Sequence, residues 1–155
     1  MNINYIEYSI GTQSLDIFFA GCRNRCKDCY NPELMFFENG IDYREWLPKI
    51  EHYLQEYSSL IKRIFLVGGS PNHQSCDDLE DFLLKLKVIC SKSNNPLIYA
   101  FCGEELADVQ PCILKLCDRI KTGAYINFLK CDNNIVEGIK LATSNQDIRV
   151  KGRDY

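Results

Sequence analysis

The sequence predicts an α/β protein, a partial and open β/α barrel built on a mostly parallel sheet. Three observations lead there. Short apolar runs alternate with stripes of helical period, the signature of successive βα units. The chain has 155 residues, too few for a complete eight-unit barrel of about 250 residues. The residues that could carry chemistry follow directly after strands, at the carboxyl ends where parallel α/β folds keep their sites.

In chain order, Tyr5 to Ile10 alternates loosely and suits an edge strand. Leu15–Ala20 is a short strand ending at Gly21, and Cys22 to Gly40 reads as irregular. Asp42 is an N-cap for a helix from about Arg44 to Tyr57, with Trp46, Leu47, Ile50, Tyr53 and Leu54 at helical spacing. Ile64–Val67 is a buried strand stopped by Gly68-Gly69. Asp77 or Asp78 opens a second helix with an apolar stripe of Leu79, Phe82, Leu83, Leu86 and Ile89. Asn94-Asn95-Pro96 marks a turn before the strand Leu97–Phe101. Short helical segments follow through Leu106 and Val109 and around Ile113 to Leu116. Arg119–Thr122 is a fourth strand, and Asp147–Val150 is a β-like stretch near the end. No repeat, low-complexity segment or Pro/Gly/Ser-rich linker divides the chain, so residues 1–155 are expected to form one domain.

Composition narrows the function. The formal net charge of -3 gives no broad basic surface for nucleic acid. No apolar run approaches the roughly 20 residues of a membrane helix, and the N-terminus lacks the pattern of an export signal. The expectation is a cytoplasmic protein that binds neither nucleic acid nor membrane. Nine cysteines are many for this length, but an odd count without an export signal argues against a disulfide framework. Metal ligands and small buried apolar thiols fit better.

The sharpest motif is Gly21-Cys22-Arg23-Asn24-Arg25-Cys26-Lys27-Asp28-Cys29-Tyr30, with C-x3-C-x2-C spacing. A short loop of this kind can wrap thiolates around separate corners of an iron–sulfur cluster. Three thiolates leave one iron open, as a catalytic metal site requires. Arg23, Arg25 and Lys27 are expected to lower the thiol pKa values and offset cluster charge. Two plainer readings stand beside this one. The loop could be a zinc knob whose fourth ligand is His73 or another cysteine, or three incidental core cysteines. The lack of a second Cys pair and the polar Asn24, Lys27 and Asp28 weigh against both.

After the second core strand comes Gly68-Gly69-Ser70-Pro71-Asn72-His73-Gln74. Its glycines allow positive φ and close approach of backbone to a ligand, or simply a tight turn. His73 could donate a hydrogen bond, carry a proton, or cap the following helix.

The C-x3-C-x2-C loop, the aromatic Tyr30 and the glycine turn together resemble the radical-SAM superfamily, whose fold is an incomplete TIM-like β/α barrel. The resemblance implies that Cys22, Cys26 and Cys29 bind a 4Fe-4S cluster. It implies that S-adenosylmethionine (SAM) chelates the fourth iron, that Tyr30 packs near the adenine, and that Gly68, Gly69, Ser70 and Pro71 contact SAM. Ser70 stands where those proteins commonly carry an acid, which removes a carboxylate from the expected contact; its hydroxyl can still accept from an ammonium group. Gly11 to Cys22, with Asp16-Ile17-Phe18-Phe19-Ala20-Gly21-Cys22, then Ile120-Lys121-Thr122-Gly123-Ala124-Tyr125-Ile126 and Thr143-Ser144-Asn145-Gln146 further resemble activating proteins of anaerobic ribonucleotide reductase. That likeness implies an enzyme that cleaves SAM to a 5′-deoxyadenosyl radical and makes a glycyl radical on the reductase large subunit, with a flavodoxin-type electron donor. A small radical-SAM enzyme on a small molecule, similar to deazapurine synthases, is the alternative, and a zinc-binding adaptor a more distant one. The remaining cysteines read as buried apolar residues, with Cys102 placed beside Gly103 at the site.

Overall fold

The computed structural model describes residues 1–155. Strands β1 (Asn2–Ser9) and β2 (Ser14–Phe19) form an antiparallel pair. After the cysteine loop and a 3-10 turn at Pro32–Met35 come β3 (Ile41–Asp42) and helix α1 (Tyr43–Glu56). Then follow β4 (Arg63–Gly68), α2 (Cys76–Ser91), β5 (Leu97–Phe101), α3 (Pro111–Leu116) and β6 (Arg119–Thr122). A hairpin of β7 (Ile135–Val136) and β8 (Ile139–Lys140) precedes β9 (Asp147–Val150).

The seven-stranded sheet has the order β3-β1-β2-β4-β5-β6-β9. Its four central strands, β2, β4, β5 and β6, run parallel, and the outer strands pair antiparallel. The sheet is not closed, and the fold is mixed α/β with a mostly parallel sheet. The reason is visible in the connections. Only α1, α2 and α3 span parallel crossovers, and antiparallel edge strands end the sheet on both sides before it can wrap round.

Period-2 alternation divides the sheet into two unlike faces. Leu15, Ile17, Phe19, Ile64, Leu66, Ile98, Ala100 and Ile120 pack under the helices, against Ile50, Leu54, Phe82, Leu83, Leu86 and Ile113. On the other face Phe65, Tyr99 and Ile148 meet Ile139 and Leu141, from β8 and the residue after it, with the partly buried Val67, Phe101 and Val136 packed against them. Helix α1 starts where expected: Asp42 accepts from Arg44 N at 2.9 Å. Helix α2 starts earlier than expected, with Ser75 as N-cap. Asp77 and Asp78 lie in its first turn, where carboxylates favour the helix dipole, and Asp78 pairs with the Met1 ammonium at 2.8 Å.

Most of the other cysteines behave as core residues. Burial pushes the Cys90 thiol up to about 12 and also holds Cys102 and Cys117 well above the ordinary thiol range. These thiols keep their protons in the fold above the free value near 8.5, where the unfolded chain loses them. Their contribution is whole below that pH and is lost progressively as pH rises from it towards the raised folded value. Lys121 works the other way, since burial lowers it to about 8 and its penalty eases as pH rises. Three thiols outweigh one lysine. The reduced, metal-free protein should be less stable at pH 9.5 than at pH 7.5 by on the order of 2 kcal/mol, read from urea midpoints. An unchanged midpoint would contradict the assignment of these thiols to the core.

Candidate metal centre

The cysteine loop leaves β2 at its carboxyl end and crosses the ends of the parallel strands. Cys22, Cys26 and Cys29 are all free, partly exposed thiols, and they line one cavity of about 320 Å³. Gly68 and Ser70 after β4, Gly103 after β5, and Lys121 in β6 line it too. Leu141 and Gln146, from the segment between β8 and β9, close the far side.

The cavity gathers most of the residues expected from the sequence. Tyr30 lines it with its ring largely exposed, edge-on to Tyr125 at 6.0 Å. Gly69 and Pro71 do not line it. They are buried in the turn beneath. Gly68 has φ of 84°, the left-handed region the turn requires. Gly69 donates to Phe19 O at 2.7 Å, and a Cβ there would stand 2.5 Å from Gly21 O. The glycine turn is thereby locked to the start of the cysteine loop. Cys102 lines the cavity as expected, fully buried and held as a thiol. The segments that resembled the activating proteins also meet here. Asn145 Nδ2 donates to Ala124 O at 2.9 Å and Gln146 Nε2 to Gly123 O at 3.4 Å, bracing the turn that carries Tyr125.

One electrostatic expectation is corrected. The loop cations were expected to lower the thiol pKa values. Cys26 is instead raised, first by burial and then by the charge of Cys22; Arg23, Arg25 and Lys27 are exposed, and the Arg23 guanidinium lies over the Phe37 ring at 5.4 Å. The buried cation of the cavity is Lys121, whose Nζ donates to Gly123 O at 2.7 Å and to Cys102 O at 3.4 Å; the exposed Lys140 lines the cavity as well.

Three residues were not singled out for the roles they fill here. Gln74 is buried, and its Nε2 donates to Ala20 O at 3.0 Å, Gly21 O at 3.2 Å and Ser70 O at 3.2 Å. Its one amide thus joins the cysteine loop to the glycine turn. His73 Nδ1 accepts from Arg23 N at 2.9 Å, so its proton sits on Nε2, 2.9 Å from Glu104 Oε1. Position 70 carries no acid, but the Glu104 carboxylate lies beside it, accepting from Ser70 Oγ at 3.4 Å. The available signal for Glu104 and Lys121 was position: each is a charged residue at the carboxyl end of a core strand.

The donor set suits a cluster. Three soft thiols from one loop face a common cavity, while no three His, Cys, Asp or Glu side chains converge closely enough to hold one ion. No helix is long and apolar enough to cross a membrane. A family model described as a 4Fe-4S single cluster domain matches residues 10–149. No curated protein and no solved structure gives a significant match.

Proposed function

Because the chain belongs to the 4Fe-4S single cluster domain family, we propose that Cys22, Cys26 and Cys29 hold its cluster and that the protein is a radical-SAM activase of an anaerobic ribonucleotide reductase. On this reading the fold is a partial β/α barrel of the radical-SAM type. The observation that carries it is that the C-x3-C-x2-C thiols share one cavity with the Gly68–Ser70 turn, at the carboxyl ends of parallel strands.

The cluster, when bound, would supply one electron to the SAM sulfonium, breaking its S–C5′ bond to give methionine and a 5′-deoxyadenosyl radical that takes a Cα hydrogen from a glycine of the reductase. The chain's own residues bind and orient. Cys22, Cys26 and Cys29 ligate three irons and leave the fourth free of protein thiolate. Gly68, Gly69, Ser70 and Pro71 shape the turn that receives the amino-acid end of SAM, with Ser70 in contact and Gly69 and Pro71 behind it. Tyr30 offers an exposed ring for the adenine. Val67 and Phe101 line the cavity on the sheet face that no helix covers, which gives an extended glycine-bearing segment a route to it. Arg23 and Arg25, exposed beside Phe36 and Phe37, and the exposed Lys27 favour an acidic electron donor of the flavodoxin type.

The test is anaerobic reconstitution with iron and sulfide, followed by reductant, SAM and a candidate reductase. A glycyl-radical signal in electron paramagnetic resonance is the expected result. SAM cleavage with no signal on any such reductase would overturn the activase role, and failure to cleave SAM would overturn the radical-SAM reading.

A further inference from the structure

Cys76 departs from the expectation that the spare cysteines are buried. It is exposed, at the first residue of α2. Cys112 is its opposite, 3% exposed in the first turn of α3 and part of the core. Both are free thiols.

The packing of α2 on α3 brings the two together. Just ahead of the helices, Gln110 N donates to Asn72 Oδ1 at 2.7 Å, and Gln110 Nε2 donates to Asn72 O at 2.7 Å and Gln74 O at 3.0 Å. One turn into the helices, Lys115 Nζ lies 3.6 Å from Glu80 Oε1. Glu80 is four residues on from Cys76 and Lys115 three on from Cys112, so each shares a helix face with its cysteine. Contacts on both sides therefore bracket the cysteines and leave them side by side. The thiols also sense each other. Burial first, and then the charge and hydrogen bonding of Cys76, push the Cys112 thiol up to about 11. Cys112 Sγ donates to Gln110 Oε1 at 3.7 Å.

We infer that Cys76 and Cys112 form a reversible dithiol–disulfide pair that reacts with low-molecular-weight disulfides. The pair lies apart from the cysteine loop, and the inference does not rest on the proposed function. The Cys76 thiolate attacks the small disulfide, giving a mixed disulfide on Cys76 and releasing one small thiolate. Cys112 Sγ then attacks the Cys76 sulfur and displaces the second small thiolate. The protons of the two protein thiols end on the two small thiols. The protein is oxidised by two electrons and the small disulfide is reduced by two. Exposure sets the order, since solvent reaches Cys76 and Cys112 is reached through it. The new bond ties α2 to α3 two residues beyond Gln74, and it removes the proton that Cys112 gives the Gln110 amide. Excess small thiol reverses both steps.

The experiment treats cluster-loaded protein, free of oxygen, with oxidised glutathione. The product is alkylated, digested without reductant and mapped by mass spectrometry, with fragmentation to tell Cys112 from Cys102. Wild type should give a Cys76–Cys112 linked peptide that dithiothreitol removes. In Cys112→Ser the reaction should stop at a glutathione adduct on Cys76. In Cys76→Ser, Cys112 should stay unmodified; this variant alters an exposed residue and decides the matter if Cys112→Ser fails to fold. A lasting glutathione adduct on Cys76 of wild type, with Cys112 still a thiol, overturns the inference. So does wild type in which Cys76 does not react, or Cys112 that reacts at the wild-type rate in Cys76→Ser.

Discussion

A Cys26→Ala variant, reconstituted without oxygen, is expected to lose the brown colour of the cluster and to cleave SAM no faster than a protein-free control. With only Cys22 and Cys29 left on the loop, two thiolates cannot hold a cubane that takes three from the protein. The effect is separable from unfolding. Cys26 lies outside the helices and strands, on a partly exposed stretch of loop, and its side chain belongs to neither core cluster. The metal-free variant should match metal-free wild type to within about 1 kcal/mol, as substitutions away from packed cores usually do. Iron and sulfide content, the visible spectrum and a urea transition measure both halves. Retention of a full cluster would remove Cys26 from the ligand set.

A Gly69→Ala substitution should do comparable damage from a position that carries no ligand. The added methyl group would meet backbone on two sides, 2.5 Å from Gly21 O and 2.8 Å from Phe19 O. Neither oxygen can swing aside as a side-chain tip can. The end of β2 and the glycine turn must separate, which strains the Gly69–Phe19 bond and the three bonds of Gln74. The cost should be about 3 kcal/mol, the upper range for an overpacked site, with loss of iron uptake as the turn pulls away from the cysteine loop. Gly11→Ala is the control, since nothing lies within 4 Å of a Cβ there. Wild-type stability and iron content in Gly69→Ala would show that turn and loop are not locked together.

The strands read best from the sequence were the central parallel ones, each ending close to a glycine. Leu97–Phe101 and Arg119–Thr122 fall where expected, and Ile64–Val67 extends by one residue at each end. The strands that were missed are held by distant partners. β3 is two residues long and exists because Asn2 and Ile3 pair with Asp42 and Ile41. β7 and β8 are equally short, with no periodicity to detect. The same pairing draws β1 back to Asn2, well before the alternating stretch at Tyr5. The centre divides likewise. The cysteine spacing and the Gly-Gly turn are local patterns and stand out in the chain. The Gln74 contact to Ala20 spans 54 residues and the Ser70 contact to Glu104 spans 34, and no local pattern signals either. Exposure of the loop cations depends on which way the loop turns, which charge counting along the chain does not give.

The buried amide of Gln74 has a thermodynamic consequence. One nitrogen serves carbonyls of both the residues leading into Cys22 and the turn assigned to SAM, so neither segment can be ordered while the other is loose. Occupancy at either place then shifts the equilibrium at the other, by the same factor in both directions. SAM would tighten the loop's hold on iron, and an iron-loaded loop would bind SAM more tightly by the same factor.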